Sequence, residues 1–380
     1  MFPFPRLVLV FLLSLGAFAQ ADPLPAYQWA GDIRYRINKG HEAIDQDRIW
    51  QQLRVRLGFN APVNDSVQAV VRLMTATSPI SGNQTLGDSG DPGMARRTFG
   101  LDLAYMDWKF AAAAKVWAGR TANPFWAPNK SQIIFDHDLT FEGVAVKFEP
   151  QSEHLGFFVN LAGFILAENY AAPDDLVDTG LAGGDVGLNI KYDSFGRATV
   201  HAGYYEYLNI QDKAVSSVEK GAKRDDYSYP YYRYRGNTVY PNDAAPPTDF
   251  FFVNKYRLAE VGAEWNRDFS AVNVGVFADV VRNTAIGRFN FAKEFGATLK
   301  WNILSFTAAH VKKESDSTVA TFTDSDMNGG GTDNQGERYA FGVTLGKNAQ
   351  FVLTQYYAKR GVDSVKRNFV LTQCDFAVTF

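Results

Sequence analysis

Several ingredients of familiar soluble proteins are scarce in this chain. Among 380 residues there is one cysteine, Cys374, so neither an intrachain disulfide nor a thiolate metal cluster can form. The five histidines, His41, His137, His154, His201 and His310, are widely dispersed. There is no G-x-S-x-G nucleophile turn and no phosphate-binding glycine loop, so the chain does not read as an enzyme and implies no cofactor. Positive charge is not in excess: 38 Lys and Arg against 41 Asp and Glu leave a net charge of -3, which provides no basic field for nucleic acid. Beyond the N-terminus no stretch reaches the hydrophobicity of a spanning helix. At the N-terminus itself Arg6 precedes an apolar run from Leu7 to Leu15, followed by small residues at Ala17, Ala19 and Ala21. This order predicts a secretory signal peptide over 1–21, leaving 22–380 as one domain. The run is too short for a spanning helix, which needs about 20 apolar residues. If the chain sits in a membrane, helices do not put it there.

What the chain has in quantity is alternation. From Asp22 onward, apolar and polar residues repeat with a period of two, the rhythm of strands. In YQWAGDIRYRIN, Tyr27, Trp29, Ile33, Tyr35 and Ile37 share one face, and Asp32, Arg34, Arg36 and Asn38 the other. In IWQQLRVRLGF, Ile49, Leu53, Val55, Leu57 and Phe59 oppose Gln52, Arg54 and Arg56. The pattern recurs along the chain, although LGFFVNLAGFIL is apolar on both faces and its register stays open. Short links alternate with long ones. The long ones fall at roughly 79–95, 121–140, 169–183, 209–253 and 317–336, and about sixteen strands result. An even count, strands of about ten residues and short-long alternation predict an all-β fold, a transmembrane antiparallel β-barrel. Closure satisfies every backbone donor, which an open sheet in hydrocarbon cannot do. Tyr27, Trp29, Phe59, Trp108, Tyr192, Trp265, Trp301 and Tyr339 fit interfacial girdles. Phe376, Val378 and the terminal Phe380 alternate on the last strand and read as an assembly signal presented to the barrel assembly machinery.

The stretch KVWAGRTANPFWAPNKSQIIFDHDLTFEGVAVKF, residues 115–148, resembles bacterial outer-membrane porins of the putative-porin family. The likeness rests on Gly119-Arg120, the pair Pro124-Phe125, Asp136 and Asp138, and Gly143. The resemblance implies a sixteen-stranded water-filled barrel in the outer membrane of a Gram-negative bacterium. It further implies a homotrimer that contacts lipid and lipopolysaccharide and passes small hydrophilic solutes and ions. Alternatives from the same pattern are a solute-selective channel, or a closed barrel serving as a surface adhesin or receptor.

The same stretch can be read without the family. As the third long loop it is rich in Phe125, Trp126, Ile133, Ile134 and Phe135, which is unusual for a loop in water and predicts that it folds inward. Arg34, Arg36, Arg54, Arg56 and Arg72 lie on polar faces of the first strands. Together with Arg120 they are expected to face Asp136, Asp138 and Glu142 across a constriction, as rings of side-chain charge do in selective pores. Pairing of the arginines with wall carboxylates such as Asp32 and Asp102 is the alternative. Asp324, Asp326 and Asn328 in DSDMNGGG match the front of a calcium loop, but Gln335 stands where a glutamate is wanted, so a Gly-rich loop is the simpler reading. The aromatic fifth loop, YSYPYYRYRGNTVYPNDAAPPTDFFF, reads as self-packing rather than a sugar or lipopolysaccharide platform.

Overall fold

A computed structural model of the chain describes residues 27–42, 47–75, 81–88, 93–168, 177–218, 233–244, 249–364 and 366–380. The expected signal peptide lies outside the described residues. Sixteen long strands form one antiparallel sheet: β1 Gln28–Glu42, β2 Arg48–Pro62, β3 Val67–Thr75, β4 Phe99–Ala111, β5 Ala114–Ala122, β6 Thr140–Phe148, β7 Leu155–Ala167 and β8 Thr179–Tyr192 make the first half. The second half is β9 Gly196–Leu208, β10 Tyr256–Phe269, β11 Val272–Asn283, β12 Phe291–Trp301, β13 Leu304–Lys313, β14 Asn334–Thr344, β15 Ala349–Arg360 and β16 Arg367–Thr379. Each pairs with its sequence neighbours, and β1 pairs with β16, which closes the barrel. A two-residue strand, Gln84–Thr85, adds to β2 beyond the end of β3.

The alternation seen in the sequence becomes an inside and an outside. In β1 the large apolar side chains Trp29, Ile33 and Ile37 are exposed, while Asp32, Arg36 and Asn38 are buried inside. Trp29, Phe59, Trp108, Tyr192, Trp265 and Trp301 all sit at the short-turn end of their strands, and Tyr339 sits in mid-strand. Cys374 shares the outward parity of Phe376 and Val378, which are 49% and 43% exposed.

The closing seam is tight. Gly31 and Phe380 exchange backbone hydrogen bonds of 2.9 and 3.0 Å. The Phe380 ring lies over Gly31, where an added Cβ would come within 2.5 Å of it.

Strands β7 and β8 resolve the ambiguous register. Leu155, Phe157, Leu161 and Ile165 point outward, whereas Phe158, Asn160 and Phe164 point inward and are buried. The inner face is apolar because the barrel is filled there. The segment 123–139 (L3) packs Phe125, Ile133, Ile134, Phe135 and Leu139 into one cluster with Phe141, Phe164 and Tyr205 of the wall. Phe125 lies 4.8 Å from Tyr205, and Phe141 stacks on Phe164 at 4.8 Å. Aromatic pairs at such distances add to the burial energy.

Candidate channel constriction

Close to where L3 leaves the wall, two strand positions accept only glycine. Gly119 of β5 and Gly143 of β6 face each other in register, with φ of 125° and 157°. A Cβ at either would lie 2.4 Å from the Ala104 carbonyl or 2.2 Å from that of Gly163. From there L3 crosses the barrel. Trp126 donates its backbone N–H to Asp185 of β8 at 3.1 Å, and Asn129 donates to Glu264 of β10 at 2.7 Å. At the far end Arg54 of β2 reaches Asp138 at 3.0 Å. One segment thus touches walls on different sides of the barrel.

The arginines it meets are crowded. Arg34 and Arg54 are directly opposite in the β1–β2 register, a destabilising placement for like charges unless anions intervene. They do. Arg54 is held by Asp32 and Asp138, each at 3.0 Å, and Arg56 by Asp32, with Asp138 3.7 Å away. Arg36 clasps Asp375 of β16 through two nitrogens, at 2.6 and 2.8 Å, and also pairs with Asp326. Arg34 differs, its hydrogen-bond partner being the amide oxygen of Asn83 at 2.6 Å. The other arginines thus pair with carboxylates of the wall, Asp32 and Asp375, and of the inward segments, Asp138 and Asp326.

A second segment shares the lumen. Residues 314–333 (L7), between β13 and β14, are largely buried and zipped to L3. Asp136 donates its N–H to Phe322 O at 2.7 Å, Ser325 donates to Asp136 Oδ2 at 3.2 Å, and Gln132 donates to Asp324 at 3.2 Å. The Gly-rich stretch is a packed strut. Asp326 is occupied by Arg36, Asp324 accepts from the Asp326 N–H and from Gln132, and Asn328 is buried, with its amide donating toward Asn334 at 3.3 Å. These three do not converge as calcium ligands. The described part of the fifth loop folds over L7: Asn237 donates to the carbonyls of Ser315 and Thr318 and accepts from the Ala320 N–H. Tyr234, Val239 and Phe252 are buried in that packing, while Tyr227 to Tyr232 lie outside the described residues.

Charge states in these loops diverge. Burial, then the neighbouring Asp324 and Asp138, push the Asp136 carboxyl well up. Burial and Asp326 likewise raise Asp324. Burial opposes ionisation of Asp138 too, but Arg54, Arg34 and Arg56 outweigh it and hold its carboxyl below the ordinary value. The His137 ring meets lumen water yet is enclosed by protein. That enclosure and Lys130 bring it down to about 4.

Beneath L3 and L7 lies a cavity of about 1590 Å³ that extends to the short-turn mouth, where Gln151, His154, Asn266, Asp268 and Lys300 line it. Its inner end carries Arg34, Arg36, Arg54 and Arg56 opposite Asp136, His137, Asp138 and Asp326. Three residues expected there lie elsewhere. Arg72 pairs with Asp102 on the wall, off the cavity. Arg120 and Glu142 pair with each other at 2.6 Å on the outer face of the barrel, in register with the exposed Ile165 and out of step with the buried Phe141. The period-two parity of β6 decides this: Phe141 faces in, so Glu142 faces out.

Residues 17–300 match the sequence family described as Putative porin. The chain belongs to that family of porins. The porin barrel superposes on the high-pH structure of Pseudomonas putida OprB with a TM-score of 0.60 at 12% identity, covering 93% of this chain and 94% of that one. Salmonella typhi OmpF, in its complex with daunomycin, gives 0.52 at 11% identity, with coverage of 93% and 97%. Vibrio cholerae OmpT gives 0.51 at 11% identity, with the same coverage. No curated protein matches the sequence. Family and fold make this an outer-membrane channel protein.

Among the lumen residues missed by sequence reasoning are Asp324 as an L3 partner, and the buried set Asp185, His201, Glu260, Asp279 and Glu294. Each sits at an inward position of its strand, so the alternation marks them singly. Their convergence depends on cross-strand register.

Proposed function

We propose that this porin is a passive diffusion channel for small hydrophilic solutes and ions, working as a homotrimer in the outer membrane of a Gram-negative bacterium after signal-peptide export. The observation that carries the reading is the cavity of about 1590 Å³ inside a closed barrel, polar-lined and reaching from the arginine cluster to the turn mouth. L3 and L7 set the size limit, and Arg34, Arg36, Arg54, Arg56, Asp136 and Asp138 bias which ions pass. Trimerisation draws support from the trimer form of Vibrio cholerae OmpT, a barrel of similar fold with a TM-score of 0.50 at 13% identity. Reconstitution into planar bilayers tests the reading. Stepwise conductance, in triplets for a trimer, is expected; a folded, inserted protein that carries no current refutes diffusion.

A second reading, a channel that binds its solute, is favoured by the presence of L7 beside L3. Two struts with an arginine track leave a narrower passage than one. Concentration-dependent block of the current by one anionic solute, and not by neutral ones of equal size, would establish it.

A further inference from the structure

The β9–β11 wall beneath L3 carries a set of groups that the channel reading leaves unused. His201 of β9, Gly262 of β10 and Asp279 of β11 stand side by side in register, and Glu260 lies two residues from Gly262 on the same inner face. One ligand atom each from His201, Glu260 and Asp279 lies within 4.8 Å of the other two. All three are buried, His201 being 4% exposed. Neither ring nitrogen of His201 has a hydrogen-bond partner, and Asp279 Oδ1 has none either. The nearest carboxylates, Asp185 Oδ2 to Nδ1 and Glu260 Oε1 to Nε2, are each 4.0 Å away, too far to bond directly. Glu260 uses its other oxygen to accept the Tyr205 hydroxyl at 2.7 Å.

Gly262 makes the arrangement possible. A Cβ there would stand 2.5 Å from His201 Nε2 and 2.9 Å from Pro128 of L3. The imidazole therefore lies across β10 toward Asp279, with the Trp126 ring packed on it at 4.6 Å. Buried polar atoms are nearly always satisfied, so an unpartnered imidazole aimed among carboxylates calls for a ligand. An sp² nitrogen with carboxylate oxygens is the donor set of zinc-class divalent ions, whereas calcium and magnesium favour oxygen alone.

We propose that His201, Glu260 and Asp279 bind one divalent transition-metal ion of the zinc class, which pins β9, β10 and β11 together under L3. Glu260 lines the lumen cavity, giving the ion a route in from water. Bonds of about 2.0–2.2 Å would draw the three side chains inward from their present spacing. Trp126 and Pro128 cover the site, so the ion would also stiffen the start of L3.

The full-length protein, folded in detergent and stripped with a chelator, is titrated with Zn²⁺, desalted and analysed for metal. Co²⁺ serves as an optical probe. About one Zn²⁺ per chain is expected, with a visible Co²⁺ band that Zn²⁺ displaces. His201→Gln and Asp279→Asn should abolish both signals, and Gly262→Ala should weaken binding about 10–100-fold by displacing the ring. His310→Ala removes a histidine that pairs with Glu337 at 2.6 Å away from the site, and should leave the stoichiometry unchanged. Heat-modifiable gel mobility reports folding, and metal is counted per folded barrel. The proposal is overturned if the folded wild-type protein retains no Zn²⁺, or retains as much in folded His201→Gln.

Discussion

At the scale of single residues, Asp138 and Asp136 are two carboxylates of one loop with opposite environments. Asp138 is surrounded by Arg54, Arg34 and Arg56 and stays ionised to lower pH than an ordinary aspartate. Asp136, buried against Asp324, takes up its proton more readily. Asp138→Asn should therefore shift the reversal potential in a salt gradient toward anions, and Asp136→Asn in mildly acid solution should shift it little. The difference should be largest near 0.1 M salt, where the Debye length is about 10 Å, and mostly gone at 1 M, where it is about 3 Å. Equal shifts from the two changes would mean that the two environments do not differ as described. Arg34 bonds an amide rather than a carboxylate, so Arg34→Gln should move selectivity toward cations with little loss of stability. Arg54→Gln should move it the same way but take from Asp138 its nearest cation and leave Asp32 to Arg56 alone, a loss bounded by the roughly 3–5 kcal/mol of breaking a buried pair. Chemical denaturation of the two variants in detergent would separate the cases.

At the scale of elements, the lumen is shaped by two inward segments whose contact is expected to respond to pH. Asp136 and Asp324 have folded-state values above their unfolded ones, so their contribution to the L3–L7 contact is full in acid and declines as pH rises through the raised values. Asp138 has the reverse sign: its link to Arg54 is present above the ordinary carboxylate range and is lost as pH falls through its lowered value. Open-channel current noise should accordingly increase as pH is raised from the ordinary carboxylate range toward neutrality. The variant Asp136→Asn, Asp324→Asn should flatten that dependence. Noise that rises only on acidification would place the sensitive contact at Asp138 instead. The aromatic filling of L3 has its own consequence: Phe125→Ala deletes contacts to Phe135, Phe164 and Tyr205, an expected loss of about 3–5 kcal/mol. Single-channel conductance should become larger and more variable while the barrel still forms.

At the scale of the whole molecule, stability rests on closure and on an outer surface matched to lipid. The β1–β16 seam ends in the paired backbones of Gly31 and Phe380, with the Phe380 ring seated on the glycine. Removing Phe380 should lower the yield of folded barrel in the outer membrane and leave the conductance of the surviving channels unchanged. Wild-type amounts of the truncated protein would dismiss an assembly role for that residue. The lipid face can be tested at Val261, which is 64% exposed near the middle of β10. A charge at mid-bilayer depth costs about 2–4 kcal/mol, so Val261→Arg should destabilise the barrel by that amount in vesicles. Thr298→Arg, which enters the wet cavity, should cost much less.

The division between what was legible in the sequence and what was not follows from the range of each interaction. Period-two alternation is local, so strand number, barrel class, the turn-end girdle from Trp29 to Trp301 and the inward arginines of β1 and β2 could be read from the chain alone. The apolar content of L3 was legible for the same reason, since a run such as Ile133 to Phe135 must be buried somewhere. Arg120 and Glu142 are misplaced when counted with the inward loop; they belong to β5 and β6, where strand parity turns them outward, in register with the exposed Ile165. The burial of L7, the hold of Asp326 on Arg36 and the gathering of His201, Glu260 and Asp279 join residues far apart in the chain. No local pattern encodes such contacts. The closed sheet fixes strand order and register, and these bring those side chains together.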